Sequence, residues 1–319
     1  MISIVIPIYN EEETLPELWR RLHNVISSWS HKTEVIFVND GSSDSSLSIL
    51  RELGLRNPGV LKIVQLSRNF GHQPAVVSGI STATGDAVIL MDGDLQDTPE
   101  SLPNLVAKWE SGYDVVYAIR AKRKEFFLKR LAFKAFYQVQ AKMVDLSIPL
   151  DAGLFSILDR KVIDIMMSMK EHNRYIPGLR SYAGFKQTGI IVERAERYKG
   201  EPRVSTRRLI KLALDGIFSM SHLPLKLATY VGILIAIPAF IVAAVVVGIK
   251  LFTDFASPGW ASNLASTFFM GGVQLIFLGI IGEYLSRIYD EVKGRPYFII
   301  SEKIGFENPD TVKADSEND

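Results

Sequence analysis

The sequence predicts an α/β domain built on a mostly parallel sheet, followed by two membrane-spanning helices. Two observations carry this expectation, and a third limits the chemistry. Over the first 200 residues, short β-rich runs alternate with amphipathic stretches, as expected for parallel strands whose connecting helices cover both faces of a sheet. Two later runs, residues 227–249 and 255–282, contain no charged side chain. The 319-residue chain has no cysteine, which excludes disulfides, thiolate nucleophiles and cysteine-ligated zinc and suits a reducing compartment.

The elements follow in order. "SIVIPIY" reads as the first strand. Pro7 and three glutamates follow too soon for a secretory leader, so the N-terminus is expected in the cytosol. "EETLPELWRRLHNVISSW" is amphipathic at helical spacing, and "TEVIFVND", "LKIVQLS" and "DAVILMD" supply further strands, each bounded by a turn or cap signal. The 23 residues of "LATYVGILIAIPAFIVAAVVVGI" match the roughly 20 that a helix needs to cross a bilayer. In the second uncharged run, Pro258, Gly259 and Ser262 make "FASPGWASN" a loop, which places the start of the second span near Leu264. Arg207, Arg208 and Lys211 precede the pair and Arg287, Lys293 and Arg295 follow it, whereas the loop between holds only Lys250 and Asp254. The positive-inside rule then puts both termini in the cytoplasm.

Charge adds a local signal. Lys and Arg number 36 against 35 Asp and Glu, so the net charge of +1 gives no general bias toward nucleic acid. Seven basic residues nevertheless fall between Arg120 and Lys134, interleaved with Phe126, Phe127, Leu128, Leu131 and Phe133. An amphipathic helix on an anionic membrane has this composition, each basic group there contributing roughly 1 kcal/mol. A second apolar stripe, Leu209, Leu212, Ala213, Gly216, Ile217 and Met220, precedes the first span and fits an interface helix or a core-packed one. The expected organisation is a cytoplasmic domain over 1–200 with an interface helix at about 122–144, a juxtamembrane helix over 201–222, a two-helix membrane region over 223–288, and a C-terminal hairpin and polar tail over 289–319.

In parallel sheets, ligands collect at the carboxyl ends of the strands, and the polar residues lie there. Tyr9, Asn10 and Glu11 follow the first strand, Asn39, Asp40, Gly41 and Ser42 the second, Arg68 and Asn69 the third, Asp92 and Asp94 the fourth. Neither GxGxxG nor GxxxxGK[ST] occurs, so the two commonest phosphate-cradling loops are missing. A diphosphate could be held through a metal instead, because Mg²⁺ and Mn²⁺ prefer carboxylate oxygens and take their remaining ligands from phosphate and water. Asp92, Asp94 and Gln96 would supply those oxygens, although Asp-Gly-Asp at a strand end also makes an ordinary turn. Asp40 and Asp44 on the neighbouring exit suit a uracil edge and ribose hydroxyls. The five histidines show no metal-ligand spacing, and only His72, in "RNFGHQ", is close in sequence to a strand exit.

These residues carry a resemblance. "SIVIPIYNEEETLPEL", "VIFVNDGSSDSS", "LSRNFGHQPAVVSGISTATGDAVILMDGDLQDTPE" and "DAGLFSILDRKVID", followed by two apolar runs, are similar to the polyisoprenyl-phosphate branch of the family 2 glycosyltransferases, the branch of dolichyl-phosphate mannose synthase and the bactoprenol glucosyltransferases. The resemblance implies a GT-A (Rossmann-like) domain with amphipathic interface helices and two transmembrane helices, in a multi-pass protein of the bacterial inner membrane. It implies transfer of a sugar, glucose from UDP-glucose first among the choices, to the phosphate of a polyprenol such as undecaprenyl phosphate, with inversion.

Position by position, the resemblance has Pro7, Tyr9, Glu11, Asp40 and Asp92 line the nucleotide, and Asp94 with Gln96 bind Mg²⁺ or Mn²⁺. Arg120, Arg130 and Arg203 would approach phosphate groups, and Asp151 matches the catalytic carboxylate. Asp151 ahead of Ala152 and Gly153 is also an ordinary helix cap or turn. Relatives carry Ser-Lys-Tyr after "GE", whereas Glu201 here precedes Pro202, Arg203 and Val204, which keeps one positive charge. The expected partners are a UDP-sugar, a polyprenyl phosphate, the membrane and further copies of the chain, with no nucleic acid. Aminoarabinose, galactose, N-acetylhexosamine and mannose donors stay open, as do a processive polysaccharide synthase and a non-catalytic nucleotide-binding scaffold.

Overall fold

Among the described residues, the four sequence-predicted strands lie side by side in one 8-stranded sheet. The computed structural model describes residues 1–120, 152–169, 171, 174–192 and 259–306, with scattered positions between 230 and 252. β1 (Ile2–Ile8), β2 (Thr33–Asn39), β3 (Leu61–Leu66) and β4 (Ala87–Leu90) are mutually parallel, with β1 between β2 and β4. The connections are α1 (Leu15–Ser28), α2 (Ser46–Arg56) and α3 (His72–Thr82). A short 3₁₀ turn, Pro99–Ser101, and α4 (Leu102–Glu110) follow β4. β5 (Val115–Arg120) and β7 (Gln187–Val192) run parallel to each other, whereas β6 (Ala152–Asp159) is antiparallel to both β4 and β5. α5 (Arg160–Ser168) and α6 (Ile176–Ala183) separate β6 from β7.

Both faces of the central strands are buried, which is why they read as near-continuous apolar runs. Ile2, Ile4, Ile6 and Ile8 of β1 pack with Leu15, Leu18 and Leu22 of α1 on one face. Val5 faces the opposite layer with Ala75, Val76 and Ile80 of α3. Each such buried side chain contributes about 1.5–3 kcal/mol. Gly79 lets α3 approach closely, since a Cβ there would lie 2.4 Å from Val5 Cγ1 and 2.8 Å from Val38 Cγ2.

The strand order positions the site. The chain steps from β1 outward to β2 and β3, then returns to the other side of β1 for β4. The strand order thus reverses at β1, with β2 and β4 on its two sides, and the carboxyl ends of strands at such a reversal are where open α/β sheets bind ligands.

Two expectations need correction. Residues 300–304, assigned to a C-terminal hairpin, form β8 (Ile300–Ile304), an antiparallel strand on the β3 edge of the chain's own sheet. Glu302 of β8 pairs with Arg51 of α2 at 2.5 Å. The second apolar run is helical from Trp260 rather than Leu264, as α7 (Trp260–Lys293), because Gly259 caps it and no proline follows to break it. Gly294 closes α7 in the left-handed region, with φ 59°. The chain divides into two compact units, one holding the sheet and the other α7. Within α7, Phe269–Lys293 is long and apolar enough to cross a membrane, and it is the one such helix among the described residues. The first expected span falls largely outside those residues, and each described position between 230 and 252 is helical. The interface helix at 122–144, the juxtamembrane segment 201–222 and the tail from 307 lie outside the described residues.

Candidate active site

The first and second strand exits are stitched together by side chains binding backbone. Asn10, directly after the β1 exit, has φ 54°, uncommon for a residue with a side chain. Its N–H donates to Ser42 Oγ at 3.0 Å, and its Oδ1 accepts from the Ser43 N–H at 2.8 Å. The Glu11 N–H donates to Ser46 Oγ at 2.9 Å, and Glu11 Oε2 accepts from Thr14 Oγ1 at 3.0 Å. The Glu12 N–H donates to Asp44 Oδ2 at 3.1 Å, and Glu12 Oε2 accepts from the Ser45 N–H at 2.8 Å. Asp44 thus braces the loop, while its Oδ1 accepts from the Ser46 N–H at the start of α2. Burial pushes its carboxyl up, but the bonds from Ser46 and Glu12 outweigh this and hold it below the ordinary value. Tyr9 is 41% exposed above this scaffold.

Asp40 connects the second exit to the third. Its Oδ1 accepts from the Phe70 N–H at 2.7 Å and its Oδ2 from the Gly71 N–H at 2.9 Å, so the carboxylate shapes the loop between β3 and α3. Burial pushes the Asp40 carboxyl up despite those bonds and the charges of His72 and Arg68. Gly41 beside it combines φ 63° with no room for a Cβ, which would lie 2.5 Å from the Arg68 carbonyl carbon.

The fourth exit carries the acidic stretch. Asp92, Asp94 and Gln96 are partly exposed and alternate with buried Gly93, Leu95 and Asp97. Gly93 leaves no space for a side chain, since a Cβ would meet Ile8 Cδ1 at 2.6 Å. Leu95, 1% exposed, adopts φ 60°. A buried leucine held in the left-handed region is backbone strain of the kind that accumulates at functional sites. Asp94 Oδ1 accepts from the Gln96 N–H at 3.1 Å, closing a tight turn that keeps these two side chains together.

One contact here was not evident in the sequence. His72, the first residue of α3, places Nε2 2.8 Å from Asp92 Oδ1. Burial pulls its imidazole down, but the Asp92 hydrogen bond and the charges of Asp92, Asp40 and Asp94 raise it above the ordinary value.

Pro7, Tyr9, Glu11, Asp40, Asp92, Asp94 and Gln96 therefore fall at the exits of β1, β2 and β4. Arg120 ends β5, with its side chain outside the described residues, as are Arg130, Asp151 and Arg203. Sequence patterns also passed over Arg180 of α6. It is 1% exposed, donates from Nη1 to the Gly153 carbonyl at 3.3 Å and lies 4.9 Å from the centre of the Tyr117 ring. Burial lowers its pKa to about 10. Among the described residues no cluster of three or more His, Asp or Glu could hold a metal by itself.

Residues 3–165, which contain all four exits, match the family model for glycosyl transferase family 2. The chain belongs to that family. It is a glycosyltransferase with a GT-A-like, mostly parallel sheet. Among curated relatives, "Uncharacterized glycosyltransferase YkcC" of Bacillus subtilis is 46% identical, the alignment covering 96% of this chain and 95% of that one. "Prophage bactoprenol glucosyl transferase homolog" of Escherichia coli is 38% identical over 94% of this chain and 98% of its own. "Bactoprenol glucosyl transferase" of Shigella phage SfII is also 38% identical, over 94% and 97%.

Proposed function

We propose that this family 2 glycosyltransferase moves a sugar, glucose first among the candidates, from a UDP-sugar to the phosphate of a membrane polyprenol. The observation that carries the reading is the 38% identity to bactoprenol glucosyl transferases over nearly the full length of both chains, apolar C-terminal region included. The site supports it with hard oxygen donors at neighbouring strand exits. Asp94 and Gln96 alone do not enclose a cation, but two side-chain oxygens suit Mg²⁺ or Mn²⁺ held jointly with a diphosphate. Such a metal, when bound, offsets the negative charge that grows on departing UDP.

The chain's own residues do the rest. Pro7, Tyr9 and Glu11 at the β1 exit, Asp40 at the β2 exit and Asp92 at the β4 exit hold the nucleotide, and the bonds among Asn10, Ser42, Ser43, Glu12 and Asp44 fix the first two exits to each other beforehand. The acceptor is a phosphate monoester, largely dianionic above its second pKa near 6, so it needs positioning more than deprotonation. Arg120, Arg130 and Arg203 suit that task, because a guanidinium can engage two phosphate oxygens at once. Asp151 orients the acceptor against the sugar carbon opposite the leaving group, which inverts the anomeric centre. Residues 1–200 form the cytoplasmic catalytic domain, and two spans anchor it with both termini cytoplasmic.

A panel of radiolabelled UDP-sugars tested against one polyprenyl phosphate, followed by organic extraction, separates the possibilities. UDP-glucose label in the lipid phase is the expected result. Label from a different donor would revise the sugar, and label only in a water-soluble polymer would replace the reading with a polysaccharide synthase.

A further inference from the structure

His72 is set in place by the fold rather than by its partner. The two N–H groups directly before it, Phe70 and Gly71, are both bound by the Asp40 carboxylate. The helix it opens is seated on β1 and β2 through Gly79. From that anchored position, Nε2 meets Asp92 Oδ1 at 2.8 Å. An ionised carboxylate can only accept, so Nε2 carries the hydrogen. We infer that His72 is a positioning residue: its imidazole fixes the rotamer of Asp92, and with it the direction in which the Asp92 carboxylate meets the nucleotide.

The arrangement links three exits in series. Asp40 at the second shapes the loop after the third, and His72 from that loop holds Asp92 at the fourth. Side chains that orient ligand-binding groups typically change affinity by about 10–100-fold when removed, as measured around metal sites. The inference rests on the proposed nucleotide site, so its test reads UDP binding directly, with no acceptor or transfer needed.

Calorimetric titration of UDP with Mg²⁺ into the full-length protein in detergent is the measurement. His72→Ala is expected to weaken UDP about tenfold. His72→Gln, whose amide nitrogen can donate from nearly the same place, is expected to recover most of that loss. In an Asp92→Asn background His72→Ala is expected to add little, because contacting residues that act through one interaction are non-additive. Melting curves accompany each variant, with His72→Leu as a bulkier substitute should the alanine form not fold. Unchanged UDP affinity in the alanine or leucine form, failure of the glutamine to rescue, or full additivity with Asp92→Asn would each overturn the role of His72. A parent protein that binds no UDP would instead remove the nucleotide site itself, and this inference with it.

Discussion

At the scale of single residues, the carboxylates of the site also brace the loops that carry them. Asp40 and Asp44 each accept backbone N–H groups on both oxygens, and Asp94 Oδ1 accepts from the Gln96 N–H, a bond that an asparagine oxygen in its place could also accept. Asp94→Asn is therefore expected to leave folding intact while reducing Mg²⁺-dependent UDP affinity at least about tenfold, and EDTA should abolish transfer by the parent. Unchanged transfer in excess EDTA would remove the metal role. Glu34 gives the contrasting, structural case at the opposite end of the sheet. It is 2% exposed and accepts from Lys62 Nζ at 2.7 Å, Ser3 Oγ at 2.5 Å and the Thr84 N–H at 2.7 Å. Burial pushes its carboxyl up, but these bonds outweigh burial and lower the pKa below the ordinary 4.5. A lowered folded-state pKa means stability that is fully present above the unfolded value and lost as pH falls through the folded one. Glu34→Gln should cost about 2 kcal/mol at pH 7, and thermal unfolding should show the gap to the parent narrowing below about pH 4. A gap of equal size at both pH values would show that the charge of Glu34 is not what matters.

At the scale of elements, β1 to β4 are legible in the sequence because local chemistry decides them. Each is a β-branched, nearly all-apolar run with a turn signal after it, and burial on both faces leaves no alternation to misread. β8 is not legible as a sheet strand, because "ISEKI" specifies an edge pattern but not its partner, and Ile304 pairs with Ile63 far away in the chain. The His72 to Asp92 contact is hidden for the same reason. It exists only once Asp40 has shaped the loop before α3, and no spacing in the sequence encodes that. The polar strand exits themselves are legible, since residue type and strand position suffice to place them at one edge. α3 offers a test of how tightly this edge is set. Gly79→Ala should destabilise the protein by about 1–3 kcal/mol through overpacking against Val5 and Val38. Because α3 starts at His72, UDP affinity should fall as well. Thermal unfolding with and without UDP measures both, and a variant as stable as the parent would show that the helix can shift at little cost.

At the scale of the whole molecule, one chain carries both an α/β sheet and a helix long and apolar enough to cross a membrane. Two spans with both termini cytoplasmic predict opposite accessibility for cysteines introduced at Asp254 and Asp310 of this cysteine-free chain. An impermeant thiol reagent applied to intact cells should label the first and not the second. Labelling of the second alone would invert the topology, and equal labelling of both would remove one span. Sugar transfer from a UDP-sugar to a lipid phosphate is tested by following both products in one reaction of the purified protein with UDP-[¹⁴C]glucose and polyprenyl phosphate. UDP release and organic-extractable label are expected to rise together, mole for mole, and neither to rise appreciably without the lipid. UDP release that proceeds equally without polyprenyl phosphate, with no label entering the organic phase, would contradict it.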